Sequence, residues 1–331
     1  MKITFKDVGQ GDSIIIELNR DDGYNLGIID CKKYNGTNPV VQYLMDNNVK
    51  SILFVILSHP HKDHYSGLLE LLEFCKKKDI SIKYFAHTAN VNPVYFRWFE
   101  VDDNATLLAK IITKSIELLD NKLIKHVGYP YKDWRISLGS DSDMISLSPS
   151  DEELRRYYKQ VKLYKNISPK KCSQAANLLS TVLKITHKDS YILLTSDAEK
   201  TTFERLHTTC MDDYLNDKLT LCQIPHHGSL TNHYGHFWND LQRSVNCPAV
   251  VSAGEHGSYN HPEIQVIEGF DRMNYKVHST NHVNGMADFI LQIKEQTLVG
   301  RFEAHDEFLD DDNIEADQTF TFIEGQVQEI I

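Results

Sequence analysis

Short apolar runs alternate with turn-forming residues along the chain, a pattern that predicts many β-strands. Ile3 and Phe5 alternate with polar neighbours, whereas residues 14–16 and 52–57 are continuous apolar runs, as in strands buried on both faces. Later segments with strand character read LSTVLKITH, SYILLTSDA, LTLCQIPHHGS, PAVVSAGEHGS, YKVHST, ADFILQIKE and QTFTFIEG. We therefore expect β-strands to dominate both the beginning and the end of the chain.

Other stretches have the apolar spacing of amphipathic helices. They read NPVVQYLMDNN, YSGLLELLEFCKKK, ATLLAKIITKSIELLDNKLIKH and SPSDEELRRYYKQVKLYKN, and either Ser150 or Asp151 can cap the last of them. Because the last two fall within residues 90–170, this segment is predicted to be a helical insertion or lid over one edge of the strand-rich part. The sequence thus predicts a single α/β domain over residues 1–331 that contains this insertion.

Composition fits a globular protein and excludes several classes. Hydrophobic residues make up 41% of the chain and charged residues 24%, and the net charge of −11 does not favour nonspecific binding to nucleic acid. The cysteines form no C-x-x-C pair, and we find neither a secretory signal nor a membrane-spanning apolar run, so we expect a cytoplasmic protein without membrane contact. Residues 303–317 hold eight carboxylates and no Lys or Arg, as in a solvated loop or an interaction segment.

The stretch LSHPHKDHYSG, residues 57–67, places several metal-binding side chains directly after a buried strand. These side chains are His59, His61, Asp63 and His64. Imidazole and carboxylate suit zinc, manganese or iron, and so many donors in so short a stretch suit a pair of ions about 3.5–4 Å apart. A surface histidine run would not explain why they follow a buried strand. We therefore predict a site for two divalent ions, zinc or manganese, at this strand-to-helix turn.

Two later strands also end in potential metal ligands. Asp197 follows the segment ILLTS, and His226 and His227 follow LCQIP. Asp197 alone would be interpreted as a turn residue, but beside the histidine cluster a carboxylate that bridges the two ions is the better interpretation. His226 is slightly preferred as the histidine ligand because it is the first residue beyond the strand, although the sequence does not decide between it and His227.

Taken together, these motifs resemble the metallo-β-lactamase fold superfamily. H-x-H-x-D-H, S-D-A and H-H-G-S follow strands in that order, and DVGQGDS, IIDC, IPHHGS and VVSAGEHGSYNHP narrow the resemblance to the hydrolase domain of the ComEC type, over about residues 1–290. The resemblance implies an αββα sandwich, in which two mixed sheets lie face to face between helices. It also implies a metal site at one edge of the sandwich, where loops converge.

The resemblance implies a role for each motif residue. His59 and His61 would bind the first ion, Asp63, His64 and one histidine of H-H-G-S would bind the second, and Asp197 would bridge the two ions.

The resemblance also implies roles for three further residues. Asp30 would orient ligands without binding metal. Asn177 stands where many relatives have a third histidine for the first ion, and its amide oxygen is a weaker zinc ligand that would leave one ion looser or favour manganese. His261 would contact the substrate or act as a general acid, or would be only a turn residue before Pro262.

Two ions that share a water suit hydrolysis, and Asp63 could help to orient that water. The expected activity is therefore that of a metal-dependent phosphodiesterase or nuclease acting on DNA or RNA. A small-molecule hydrolase, acting on a cyclic nucleotide, a phosphorylcholine ester or a lactone, is the alternative, and a non-catalytic metal-stabilised binding module is a third possibility. Arg97, Tyr157 and Lys162 belong to aromatic and basic stretches that either contact nucleic acid or simply pack a helix. The sequence identifies no protein partner.

Overall fold

The structure is a computed structural model and describes residues 1–89, 105–139, 141–164, 168–298, 316–323 and 326–330. Its strands are β1 (Lys2–Phe5), β2 (Ile14–Glu17), β3 (Leu26–Ile29), β4 (Ser51–Leu57), β5 (Ser81–His87), β6 (Ile124–Gly128), β7 (Arg135–Gly139), β8 (Ser142–Ser148), β9 (Val182–His187), β10 (Ser190–Leu194), β11 (Lys218–Gln223), β12 (Cys247–Val251), β13 (Tyr275–Ser279), β14 (Gln318–Ile323) and β15 (Gln326–Ile330). Its helices are α1 (Pro39–Asp46), α2 (Lys62–Tyr65), α3 (Leu68–Lys78), α4 (Ala105–Asp120), α5 (Asp151–Tyr164), α6 (Pro169–Ala175), α7 (Lys200–Thr209), α8 (Met211–Tyr214), α9 (Gly235–Asp240), α10 (Ile264–Arg272) and α11 (Asn284–Leu298).

These strands form two mixed sheets. The first sheet has the order β15-β14-β1-β2-β3-β4-β5-β6, and the second has the order β13-β12-β11-β10-β9-β8-β7. Strands β3 to β6 pair in parallel in the first sheet, and β10 to β13 pair in parallel in the second. Loops that leave parallel strands meet at the same end of a sheet, which is where α/β proteins commonly carry their sites.

Three clusters of buried side chains show how the layers stack. One cluster joins residues of both sheets, such as Phe54 in β4 and Leu194 in β10, and therefore lies between the sheets. A second packs α1, α3 and α4 onto the outer face of the first sheet. A third packs α7, α9, α10 and α11 onto the outer face of the second sheet. The molecule is an αββα sandwich, which confirms the fold class expected from the sequence.

The segment 90–170 differs from the helical insertion predicted for it. It contributes β6 to the first sheet and β7 and β8 to the second, in addition to α4 and α5. Lys122 has a left-handed φ of 60°, which ends the helical pattern of α4 before β6 begins. Ile136 and Leu138 are buried between exposed neighbours in β7, the two-residue period of a half-buried strand. Residues 90–104 lie outside the described residues.

The segment ADFILQIKE is part of helix α11, so the strand predicted there is wrong. Met286, Phe289 and Ile290 are buried against the second sheet, and their spacing of three and four residues is helical. The strand QTFTFIEG is confirmed as β14, whereas most of the acidic segment 303–317 lies outside the described residues.

Helix α5 begins with a capping box. Ser150 Oγ accepts a hydrogen bond from Glu152 N at 3.2 Å, and the Glu153 carboxylate accepts one from Ser150 N at 2.8 Å. Glu153 also accepts a hydrogen bond from Arg205 Nε at 2.6 Å, which ties α5 to α7.

Among the described helices, none combines the length and the apolar character that crossing a membrane requires.

Candidate metal centre and its cavity

The histidine-rich turn lies at the carboxyl end of β4. His59 and His64 are completely buried, and the short helix α2, which begins directly after His61, carries Asp63 on its first turn. Cys31 N, in the loop after β3, donates a hydrogen bond to His64 O at 2.8 Å and holds this turn from the neighbouring strand. This backbone bond positions the turn from which all four side chains extend.

Asp197, which follows β10, lies between two groups of histidines and presents one carboxylate oxygen to each. His59 Nε2 is 3.6 Å and His226 Nε2 is 3.7 Å from Asp197 Oδ2. On the other side, His64 Nε2 and His227 Nε2 are each 3.5 Å from Asp197 Oδ1. A carboxylate between two donor groups is the arrangement that bridging of two ions requires.

Asp63 completes the donor group on the Oδ1 side of Asp197. Asp63 Oδ2 is 3.6 Å from His227 Nε2, and Asp63 Oδ1 is 4.0 Å from His64 Nε2. Because ligands that bind one tetrahedral ion at about 2.1 Å lie about 3.4 Å apart, these separations fit a divalent ion. His64 Nε2, His227 Nε2 and Asp197 Oδ1 are also buried without a hydrogen-bond partner. Buried polar atoms are normally satisfied, so their convergence on one point favours a metal site.

The second donor group consists of His59, His61 and Asp197. His59 Nε2 and His61 Nδ1 are 2.9 Å apart, and His61 Nε2 donates a hydrogen bond to Ser173 O at 2.8 Å. This bond places the proton on Nε2, so His61 Nδ1, which faces His59 Nε2, carries the lone pair that could bind an ion. The same group lies beside α6, because Ser173 belongs to that helix.

Asn177, the residue expected in place of a third histidine, lies at the same side of the centre. Its Nδ2 donates a hydrogen bond to His226 Nδ1 at 3.4 Å, while its buried Oδ1 has no partner. The amide oxygen is therefore available as a weak ligand. The structure also separates the two adjacent histidines: His227 joins the group with Asp63 and His64, whereas His226 faces the opposite oxygen of Asp197. The structure therefore groups His227, and not the slightly preferred His226, with Asp63 and His64.

Backbone groups and Asp30 orient the buried imidazoles. The Asp30 carboxylate accepts hydrogen bonds from His64 Nδ1 at 2.7 Å, from Ser58 Oγ at 2.6 Å and from Ser58 N at 2.8 Å. His227 Nδ1 donates to Ser252 O at 3.0 Å. The bonds from His64 and His227 place the proton on Nδ1 and direct Nε2 to the centre, which is the usual support for metal-binding histidines.

Sequence reasoning missed two polar residues that position Asp197. Gln223 Oε1 accepts hydrogen bonds from the backbone N of Thr195 and of Ser196, each at 2.9 Å. Gln223 Nε2 donates to Asp12 Oδ2 at 2.8 Å, which links this turn to the glycine-rich loop after β1. The available signal was a glutamine at the end of a buried strand, and an aspartate inside the motif DVGQGDS.

The charges of the centre are strongly coupled. Burial alone would lower the pKa values of His64 and His227, but Asp197 and its neighbouring carboxylates raise both of them. The pKa of His227 is raised to about 9. Burial would raise the pKa of Asp197, but the surrounding imidazoles, His226 and His227 foremost, hold it well below its ordinary value. The lowered pKa of Asp197 favours its anionic form, which is the form that binds a divalent ion.

A cavity of about 1780 Å³ adjoins the centre, and His61, Asp63, Asp197, His226 and His227 line it. Its walls also carry an unexpected set of cations: Lys32, Lys33, Lys62, Arg156, Lys159 and Lys171. These cations matter because the chain as a whole has a net charge of −11. Asp63, Asp197, Glu199 and Glu263 also line the cavity, so cations outnumber carboxylates there, in contrast to the chain as a whole.

Of the residues predicted to contact substrate, Tyr157 and Lys162 do not line the cavity and His261 does. Tyr157 is fully buried in the core beneath α5, so its proposed contact with substrate is not supported. Lys162 is exposed but does not line the cavity, and Arg97 lies outside the described residues. His261 does line the cavity, and its ring centroid is 5.9 Å from that of His226.

Neither a protein-family model nor a curated protein matches the sequence, but solved structures match the fold. The metallo-β-lactamase fold protein YhfI from Bacillus subtilis is 10% identical, with 84% of this chain and 95% of that chain covered and a TM-score of 0.46. Zn²⁺-bound PqqB from Methylobacterium extorquens is 9% identical, with 84% and 98% covered and a TM-score of 0.47. A long form of RNase Z from yeast is 10% identical, with 88% and 43% covered and a TM-score of 0.41. At these identities and TM-scores the likeness concerns the fold and carries no conclusion about substrate.

Proposed function

We propose that this protein is a metal-dependent hydrolase of the ComEC-type subgroup of metallo-β-lactamase fold proteins, and that it cleaves phosphodiesters with two divalent ions, zinc or manganese. The observation that supports this proposal most strongly is the convergence of three orphaned buried atoms, His64 Nε2, His227 Nε2 and Asp197 Oδ1, beside an open cavity. Asp197 and His227 line that cavity, which a purely structural role would not require.

Divalent ions bound in such a centre supply a nucleophilic water at neutral pH and positive charge for a developing oxyanion. The chain itself contributes the remaining chemistry. The Asp63 side chain is 35% exposed and lines the cavity, so it can accept a hydrogen bond from the attacking water and orient it. His261 also lines the cavity and can donate a hydrogen bond to a substrate oxygen.

The cations of the cavity favour a phosphodiester over an uncharged lactone. Arg156 and Lys159 extend from α5, and Lys171 extends from α6, next to the group that contains His61. Lysine and arginine pair readily with phosphate oxygens, whereas a neutral ester offers them nothing comparable. A phosphodiester with a further anionic group would use both the metal centre and this wall.

The proposal is tested by hydrolysis of bis(p-nitrophenyl) phosphate after reconstitution with manganese or zinc. Wild type should turn the diester over, Asp63→Ala should abolish turnover, and Asp46→Ala, an exposed carboxylate on α1, should match wild type. Absence of turnover with either metal in a protein that binds two ions would overturn the phosphodiesterase assignment and favour lactones or a binding role.

A further inference from the structure

One wall of the cavity carries a row of aromatic rings, and the proposed reaction does not use its outer members, Tyr259 and His256. The ring centroids of His226 and His261 are 5.9 Å apart, those of His261 and Tyr259 are 5.7 Å apart, and those of Tyr259 and His256 are 5.0 Å apart. The last two pairs are stacked, with interplanar angles of 10° and 28°. All four residues line the cavity, so the row leads from the metal centre outward.

The outer part of this row is exposed although it is aromatic. Tyr259 is 48% exposed, whereas the His261 side chain is 12% exposed. Tyr259 is a large, flat and partly apolar group, and such groups in a cavity wall are characteristic of ligand contact. The row therefore presents a ring surface to whatever occupies the cavity.

The loop that carries these rings is anchored at both ends. A Cβ at Gly254 would collide with the backbone of Gly9 and Gln10, so this end of the loop packs closely on the glycine-rich loop after β1. At the other end, Asn284 Nδ2 donates a hydrogen bond to His261 O at 2.6 Å. Anchored ends limit the positions that the loop can take before a ligand arrives, which reduces the entropy cost of binding.

The cations lie on the other walls around the same centre. Lys171 is on α6, the helix whose Ser173 carbonyl holds His61. Lys32 lies next to Asp63, because a Cβ at Gly11 would meet both the Asp63 backbone and the Lys32 side chain. Cations of the α5–α6 wall thus lie beside His61, and Lys32 lies beside Asp63. The stacked rings begin beside His226.

We propose that Tyr259, together with His256 and His261, is a stacking surface for a nucleobase, and that the substrate is a nucleobase-bearing phosphodiester with a further phosphate on the α5–α6 wall. This inference rests on the proposed function for the identity of the cleaved bond, but not for binding. Stacking of a base on an aromatic side chain contributes about 1–3 kcal/mol and tolerates any base. Tyr259 would therefore determine that the substrate carries bases without selecting its sequence.

The test compares two phosphorothioate-linked octanucleotides of equal charge, one of thymidine and one abasic, by fluorescence anisotropy with metal-loaded protein. Wild type should bind the base-bearing strand about tenfold more tightly, within the range that stacking supplies. Tyr259→Leu should reduce this preference to less than about twofold, and Tyr259→Phe should retain it. Tyr158→Leu is the matched control, because Tyr158 is 39% exposed on α5 and does not line the cavity; it should bind like wild type.

Equal binding of both strands by wild type, no binding of either, or an undiminished preference in Tyr259→Leu would overturn the inference. A thymidine dinucleotide distinguishes the two sources of such a ligand: affinity equal to that of the octanucleotide indicates a short nucleotide substrate, and weaker affinity indicates a polynucleotide. A base preference without hydrolysis of any diester would refute the proposed function while leaving the stacking surface in place. Hydrolysis of a diester without a base preference would refute the stacking surface while leaving the proposed function in place.

Discussion

Asp30 binds no ion in this account, yet it accepts three hydrogen bonds that orient the buried centre. Asp30→Asn should lower metal affinity by roughly 10–100-fold, because the amide replaces an anionic acceptor of the His64 Nδ1 proton. Asparagine tolerates the left-handed φ of 61° at this position, so the backbone should persist. Competition with a chelating dye measures the affinity, and a value within twofold of wild type would contradict the assigned role.

His87 should make stability dependent on pH. Burial lowers the pKa of His87 to about 4 from an ordinary value of 6.5. Because the unfolded chain then binds the proton more tightly, this contribution is complete above pH 6.5 and is lost as the pH falls toward 4. Between pH 7.5 and 5 the loss amounts to about 2 kcal/mol. His87→Leu should flatten the pH dependence of the free energy of unfolding by that amount in urea titrations, and an unchanged slope would contradict it.

At the residue scale, the sequence predicted well which candidate ligands lie together where a strand precedes each of them. His59, Asp197 and the H-H-G-S pair each follow an apolar run, and the structure brings them together. The choice between the two adjacent histidines was not predictable, since His226 and His227 both adopt left-handed backbone angles in a turn after β11. Tyr157 has the same helical spacing whether it packs or binds, so only its burial distinguishes the two roles.

At the scale of elements, one buried ion pair joins α5 to α7. Glu153 is 2% exposed and Arg205 is 10% exposed, and Arg205 Nη2 also donates to Leu147 O at 2.9 Å. Arg205→Met should lower the free energy of unfolding by about 3–5 kcal/mol, because Glu153 would remain buried with its charge uncompensated. Arg135→Met removes a 59% exposed partner of Asp143 and should change stability by less than about 1 kcal/mol. Equal losses in the two variants would refute the distinction.

Elements with a clear period were predictable, and those with mixed signals were not. β4 and α3 follow their apolar patterns closely. By contrast, the segment after α4 carries too few apolar residues to reveal β6, and β7 buries only alternate residues. The run ADFILQIKE satisfies both a strand and a helix pattern locally, and only its packing through Phe289 and Ile290 identifies it as helix.

At the scale of the whole molecule, an acidic protein places basic side chains around one cavity. If these cations bind a single-stranded polyanion, each phosphate contact should contribute about 0.7 to the slope of log affinity against log salt. Arg156→Gln combined with Lys159→Gln should therefore reduce that slope by about 1.4. Lys77→Gln with Lys78→Gln, at the exposed end of α3, changes the net charge equally and should leave the slope unchanged. A similar effect of both pairs would mean that only net charge matters.

The central claim is that Asp197 joins two donor groups into one centre for two divalent ions. The most direct test is the metal content of dialysed protein after reconstitution with manganese or zinc, measured by inductively coupled plasma mass spectrometry for wild type and Asp197→Asn. We predict about two ions per wild-type chain, and a variant that retains at most one. Wild-type protein that retains no ion, or a variant that still holds two, would contradict the account.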